Sequence, residues 1–357
     1  MNQSQHEHGS PEVSVLIPTR GRADKVAACV AALGNQSLDP DRYEVLVGLD
    51  GPDPESERAI TRAWTGPSDR LVVRAFERSW QAVVRNGLLE EVRGSTIVFL
   101  NDDVIPDPDL LRAHVKAQHE AWREGGAAIV VGDSPWVVHE PDRLFDRLIR
   151  ETSMVFFYDR MNEPGARADR WRDWGFRHAW MLNLSVPVAL VREAGGIGTF
   201  EGGYGYEDDE LAWRLGRRFG TPVLYRPEAK VAHDHRMDPG DYLGREFRLG
   251  YSAWGFAASA PDCARAMFGC DVRSDERIDY WRRFVEHEEA TARRLVEAFL
   301  GLADLPASCV GGADAPQVIG LIYQQHLLLK RWVWRRGLLA AADGVAWQDG
   351  QATLLAA

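Results

Sequence analysis

The chain has 357 residues, of which 45% are hydrophobic and 27% charged, and its formal net charge is −11. That is ordinary globular material, long enough for one large α/β domain and a smaller helical region. An acidic chain repels phosphate backbones, which argues against nucleic acid as a partner, while local basic patches still leave room for an anionic substrate.

Residues 1–11 lack the basic start and apolar core of a signal peptide and read as a disordered lead-in. Val13 to Pro18 is a short β-rich run that ends in the turn Pro-Thr-Arg-Gly-Arg. A stretch with Val26, Val30 and Leu33 on one helical face follows. YEVLVGLD is a second run, ending at Asp50 before the turn Gly51-Pro52. LVVRAF is a third strand, SWQAVVRNGLLEEV a helix and STIVFL a fourth strand. Strands alternating with helices predict a mostly parallel sheet with helices on both faces. Ligands bind beyond the carboxyl ends of such strands, so the loops after Ile17, Leu49 and Leu100 are the ones to inspect.

The later half mixes aromatics with His178 and Asn183 between Trp171 and Ser185, and a helix is expected near Pro187. The Gly-rich GGIGTFEGGYGY leads into the helical EDDELAWRLGRRFG. VLYRP reads as a strand, followed by KVAHDHRM. From about Asp241 onward the pattern is helical. The expected organisation is an α/β domain over 12–240, split near 105 into a nucleotide half and an acceptor half, then a helical region over 241–357. The four cysteines, Cys29, Cys263, Cys270 and Cys309, form no CxxC pair and read as free thiols of a reducing compartment. No stretch reaches the ~18 uncharged apolar residues of a membrane span.

Three groups of residues carry chemistry. Asn101, Asp102 and Asp103 directly follow the apolar run IVFL, and adjacent carboxylates at a strand end call for a neutralising cation. Magnesium or manganese bridging to a diphosphate would serve; an Asp-rich turn capping the next helix is the simpler alternative. Glu207, Asp208, Asp209 and Glu210 begin a predicted helix, where the dipole favours acids, but four in succession exceed capping needs. A carboxylate there could deprotonate an acceptor hydroxyl. His233 and His235, two apart in an extended segment, share one side, so either could complete a metal shell or serve a structural role. Arg85 and Asn86 lie on a helix near the strand ends; Arg85 could pair with phosphate or remain a solvated helix residue.

In order and spacing, these pieces resemble glycosyltransferase family 2, from about Val13 to His235. SVLIPTRGR resembles its opening strand and nucleotide turn, and EVLVGLDG its second strand with a base- or ribose-contacting Asp. AVVRNGLLEEVRGSTIVFLNDDVIPDPDLL resembles its helix, central strand and DXD-type loop. MLNLSVPVALVREAGGIGTFEGGYGYEDDELAWRL resembles its acceptor segment and catalytic acids, and VAHDH its downstream metal-binding His. Two departures stand out: Asn101 replaces the first Asp of the loop, and Leu49 precedes Asp50 where a second carboxylate is usual.

The resemblance implies a GT-A fold and an inverting transfer from a nucleoside-diphosphate sugar, a UDP-sugar foremost, to an acceptor hydroxyl. It implies Asp208 as general base, supported by Glu207. Pro18, Thr19, Arg22, Asp50, Arg85 and Asp102 fall on the donor side, and Asn183, Trp180 and Asp209 on the acceptor side. Mn2+ or Mg2+ would sit on Asp103 and His233, with His235 the alternative ligand. The acceptor would be a carbohydrate, a lipid-linked molecule or a small molecule, and the setting cytoplasmic. A nucleotidyltransferase and a non-catalytic nucleotide- or carbohydrate-binding module are the rival readings. The first lacks a Gly-rich phosphate loop in TRGR, and the second has no need of the acids at 207–210. LIYQQHLLLKRWVWRRGLL, with Leu321, Leu328 and Trp332 at helical spacing beside Lys330, Arg331, Arg335 and Arg336, is expected to close a core. Peripheral contact with the inner face of a membrane is the alternative.

Overall fold

The structure is a computed structural model that describes residues 10–355, so most of the expected lead-in lies outside the described residues. Eight strands form one sheet: β1 (Val13–Thr19), β2 (Tyr43–Asp50), β3 (Leu71–Phe76), β4 (Thr96–Leu100), β5 (Val104–Pro106), β6 (Ile129–Asp133), β7 (Asn183–Pro187) and β8 (Val223–His233). The order is β3-β2-β1-β4-β7-β6-β8-β5.

The two halves of the sheet differ. β3, β2, β1 and β4 are all parallel neighbours, as the βα alternation predicts. Beyond β4 the sheet is mixed: β7 is antiparallel to β4 and β6, β8 is parallel to β6, and β5 is antiparallel to β8. All seven residues of β1 are buried, which explains its continuous apolar run: a parallel strand covered on both faces needs no polar alternation. The crossovers carry helices at Ala23–Leu33, Pro54–Ala63 and Gln81–Leu89. The second of these is capped by Asp53, whose carboxylate accepts from Ser56 N at 3.1 Å. All of these connections deliver β1, β2 and β4 to the same edge, where their loops meet.

The chain divides into two compact units. The first comprises Met1–Val137, Met161–Thr199 and Glu207–His235 and holds the whole sheet. The second comprises Val138–Arg160, Phe200–Tyr206 and Arg236–Ala357. The chain thus enters the second unit three times, the last time at Arg236, a few residues before the expected boundary.

The second unit is helical. Its long helices, Pro239–Ser259 and Ala315–Ala342, meet backbone to backbone: a Cβ on Gly250 would stand 1.8 Å from the Trp334 carbonyl oxygen, and one on Gly337 2.0 Å from that of Phe247. Trp332 and Val333 are buried, as a core-closing helix requires, but Leu321 is 66% exposed. The inward stripe runs through Ile319, His326 and Leu329 instead. The basic residues are engaged within the unit: Arg335 stacks 3.9 Å from the Phe284 ring centroid, Arg336 4.9 Å from that of Trp332, and Arg331 pairs with Glu288. This supports the core reading of the helix over the membrane one. No helix among the described residues is long and apolar enough to cross a membrane. No disulfide joins the four cysteines.

Candidate active site

The loops after β1 and β4 meet over a pair of buried carboxylates. Thr19, the last residue of β1, donates its hydroxyl to Asp102 Oδ2 at 2.7 Å. Arg22 donates from Nε to the same oxygen at 3.0 Å and from Nη1 to Asp103 Oδ2 at 2.8 Å, and its Nη2 meets Asp102 Oδ1. One guanidinium therefore balances both carboxylates. Burial pushes Asp102 up to about 6 against the pull of Arg22. Burial also acts upward on Asp103, but the neighbouring His233 and His235 imidazoles, with the charge of Arg22, outweigh it and hold this carboxyl well below the usual range.

The two histidines reach Asp103 from the end of β8. His233 Nε2 lies 3.7 Å from Asp103 Oδ1, and His235 Nδ1 lies 3.3 Å from Oδ2. Their rings are nearly parallel, with centroids 5.8 Å apart, as spacing of two on extended backbone predicts. Trp136 lies against His233 at 4.1 Å, and burial lowers the His233 pKa. The backbone secures the arrangement: Val104 pairs with His233, and Asp234 N donates to the Asp103 carbonyl at 2.8 Å.

Pro18 is buried in β1, and Asp50, at the end of β2, accepts from Ser79 N and lies 3.7 Å from Arg20. Arg85 is 1% exposed and donates from Nη2 to Asn101 Oδ1 at 2.9 Å, so it is no solvated helix residue. Burial lowers its pKa, against the charges of Asp208, Glu207 and Asp102, which places it electrically between the two acid groups. Asn86 instead clamps a turn, with its amide bonded to both the N–H and the carbonyl of Ile197.

The second acid group opens the helix Glu207–Phe219. Asp208 Oδ2 accepts from the backbone N–H of Met181 at 2.9 Å, whereas Oδ1 is buried with no hydrogen-bond partner. Burial raises the Asp208 pKa, opposed by the charge of Arg85 and the Met181 N–H. Asp209 rises to about 8 through burial and the charge of Asp208. Glu210 is committed to a two-point pair with Arg214. Trp180 is 9% exposed, with its ring 5.7 Å from that of His178. Asn183 is fully buried, and its amide is spent on His114, Asp133 and Ala229, so the structure does not present it to an acceptor.

A sequence profile for the family described as Glycosyl transferase family 2 matches residues 14–178, the stretch that carries the donor-side loops. The chain carries a glycosyltransferase family 2 domain over that stretch. The chain is 27% identical to validoxylamine A glucosyltransferase of Streptomyces hygroscopicus subsp. limoneus over 252 residues, 61% of this chain and 51% of that protein. It is 27% identical to pre-mycofactocin glycosyltransferase of Mycobacterium tuberculosis H37Rv over 267 residues, 70% of this chain and 48% of that protein. The chain thus spans about half the length of the curated relatives it matches. Among solved structures, a mannosyltransferase from Pyrobaculum calidifontis, in complex with GDP-mannose and Mn2+, superposes with a TM-score of 0.54 at 18% identity. The match covers 95% of this chain and 88% of that one, and it supports the GT-A fold.

Sequence reading of the site missed three contributors. The Met181 N–H is backbone and leaves no side-chain signal. Trp136 lies far from His233 in sequence and meets it through an isolated parallel bridge beyond the end of β6. Lys25 pairs with Asp234 at 2.7 Å, joining the first helix to the histidine segment.

Proposed function

We propose that the chain moves a sugar from a nucleoside-diphosphate sugar, a UDP-sugar foremost, to an acceptor hydroxyl with inversion. The carrying observation is Asp208: one oxygen is held by a backbone N–H, and the other is buried and unbonded. That is the state of a base awaiting a hydroxyl proton. The acceptor oxygen would form its bond to the anomeric carbon as its proton passes to Asp208 Oδ1. The bond to the diphosphate oxygen breaks, and the nucleoside diphosphate leaves with the electron pair.

On the donor side, Pro18, Thr19 and Asp50 would line the nucleoside. Asp102, neutralised by Arg22, supports the ribose, and Arg85 keeps positive charge between donor and base. Glu207 supports the base, while Trp180 and Asp209 face the acceptor. Asn183 drops out of this set because its amide has no free capacity.

The donor atoms suit a hard divalent ion. Asp103 offers a carboxylate that stays ionised, and two imidazoles stand beside it. No group of three such ligands converges among the described residues. Asp103 with His233, or with His235, would thus supply two protein ligands and leave the rest to diphosphate and water. A Mn2+ or Mg2+ held there would offset the charge that develops on the leaving diphosphate.

The test is nucleoside-diphosphate release from a panel of UDP-, GDP- and dTDP-sugars, with and without Mn2+. Release dependent on both sugar and metal is expected. Pyrophosphate release from nucleoside triphosphates would favour a nucleotidyltransferase, and no turnover at all a binding module.

A further inference from the structure

The pairing between β6 and β8 jumps. Gly132 faces Arg226, but the next residue, Asp133, faces Lys230, so β8 carries Pro227, Glu228 and Ala229 as a bulge. A bulge leaves carbonyls outside the ladder, and buried ones need donors. Asn183 provides them: its Nδ2 donates to the Asp133 carbonyl at 3.1 Å and to that of Ala229 at 2.9 Å. There is room for this amide only because residue 132 is glycine. A Cβ there would stand 2.0 Å from the Ala229 oxygen and 2.3 Å from Asn183 Nδ2.

The remaining bonds follow in order. With both N–H groups of Asn183 spent, its Oδ1 must accept, and His114 Nε2 lies 2.9 Å away. The proton of His114 is therefore on Nε2, and Nδ1 accepts from the Ser185 hydroxyl at 2.9 Å. Ser185 Oγ accepts in turn from Gln118 Nε2 at 3.0 Å, and the same nitrogen reaches the Ala128 carbonyl at 3.2 Å. Every side chain in the series is buried. Burial lowers His114 to about 4, so its ring stays neutral and the direction of donation is fixed.

Downstream of the bulge, β8 runs from Lys230 to His233. There the backbone of His233 accepts from Val137 N at 2.9 Å and donates to the Pro135 carbonyl at 2.8 Å, while Val104 pairs on its other side. A one-residue slip of this segment would turn the His233 ring to the opposite face of the sheet.

We propose that Asn183, oriented by His114, is a positioning residue that sets the register of β8 beyond the bulge and so holds His233 and His235 against Asp103. The proposal rests on the metal–diphosphate reading above.

The experiment is an EPR titration of Mn2+ into the full chain with UDP or GDP present, alongside thermal midpoints and nucleotide binding without metal. Asn183→Ala is expected to weaken Mn2+ binding by about 10- to 100-fold, as changes behind a metal ligand do, with metal-free nucleotide binding unchanged. His114→Phe should act likewise, and His114→Gln, which keeps a donor for Asn183, should recover most of the affinity. If Asn183→Ala does not fold, the His114 pair decides. Leu46→Ala, which opens the buried core at β2, serves as the control for simple destabilisation.

The proposal falls if Asn183→Ala and His114→Phe keep wild-type Mn2+ affinity, if Leu46→Ala loses as much, or if His114→Gln recovers nothing. A wild-type chain that binds no Mn2+ with either nucleotide, yet releases nucleoside diphosphate from a nucleotide sugar under chelator, overturns the metal reading and this inference together. It would leave the transferase reading standing.

Discussion

The two acid groups of the sheet-bearing unit are built in opposite ways. Asp102 and Asp103 are charge-balanced: a guanidinium and a hydroxyl bond three of their four oxygens, and the fourth, Asp103 Oδ1, has no hydrogen bond but lies 3.7 Å from the His233 ring. Asp208 is left short, with one backbone N–H on one oxygen and nothing on the other. The difference teaches how burial is used. At the first group, neighbouring positive charge overcomes desolvation at Asp103 and keeps it ionised. At the second, desolvation wins and raises Asp208 toward a range where it can take up a proton.

The largest expected effect strikes the under-bonded acid. Asp208→Asn should lower transfer by roughly 100- to 10,000-fold while donor binding, measured by calorimetry, is retained. If Asp209→Asn is inactive while Asp208→Asn turns over, the base is the next residue and the contrast is misplaced. The charge-balanced group should fail differently. Asp103→Asn should weaken Mn2+-dependent donor binding by at least about tenfold, and kcat should fall with it. Wild-type activity of this variant under chelator would break the contrast.

A subtler effect falls on pH. The base we propose must be unprotonated to work, and the folded Asp208 pKa lies above its ordinary 3.8. Activity should therefore be lost as pH falls through a limb displaced upward from 3.8. Arg85→Gln removes the nearby positive charge, so the limb in kcat/KM should move to still higher pH. No movement would show that Arg85 serves only Asn101. The smallest effect lies in the other unit. Arg335→Ala and Arg336→Ala should each cost about 0.5–1 kcal/mol of stability through lost ring contacts. Co-sedimentation with anionic vesicles should be low for the wild type and unchanged by either substitution; salt-sensitive binding lost in the variants would restore the membrane reading.

Much of this was legible in the sequence, for identifiable reasons. The apolar runs at Val13, Tyr43 and Thr96 became parallel strands, and the residues that follow them converge because such strands share a direction. Asn183 was legible as a polar residue in the right segment but not in its role. Which face of β7 it occupies depends on pairing with β4 and β6, which local pattern does not encode. Pro227 hid the length of β8. A proline stops a strand reading, yet here it stands in a bulge, and the strand resumes to carry His233. The second unit's excursion at 138–160 was also invisible, since no change of composition marks it, and the Gly-rich run that covers 200–206 does not say which unit it joins.

The close approach at Gly250 and Gly337 has a consequence for anyone who cuts this chain. Two helices that touch through their backbones cannot be separated into different fragments, because each supplies the surface that fits the other's missing side chain. A shortened protein that ends between residues 259 and 315 would keep Pro239–Ser259 with an uncovered notch, whereas one that ends before Pro239 removes both partners at once. Stop codons and fusion junctions therefore belong after residue 342: material that ends between 259 and 315 should be recovered as aggregate, and an end before Pro239 would strip Phe145 of Tyr242 and Phe299 and Phe200 of Phe256.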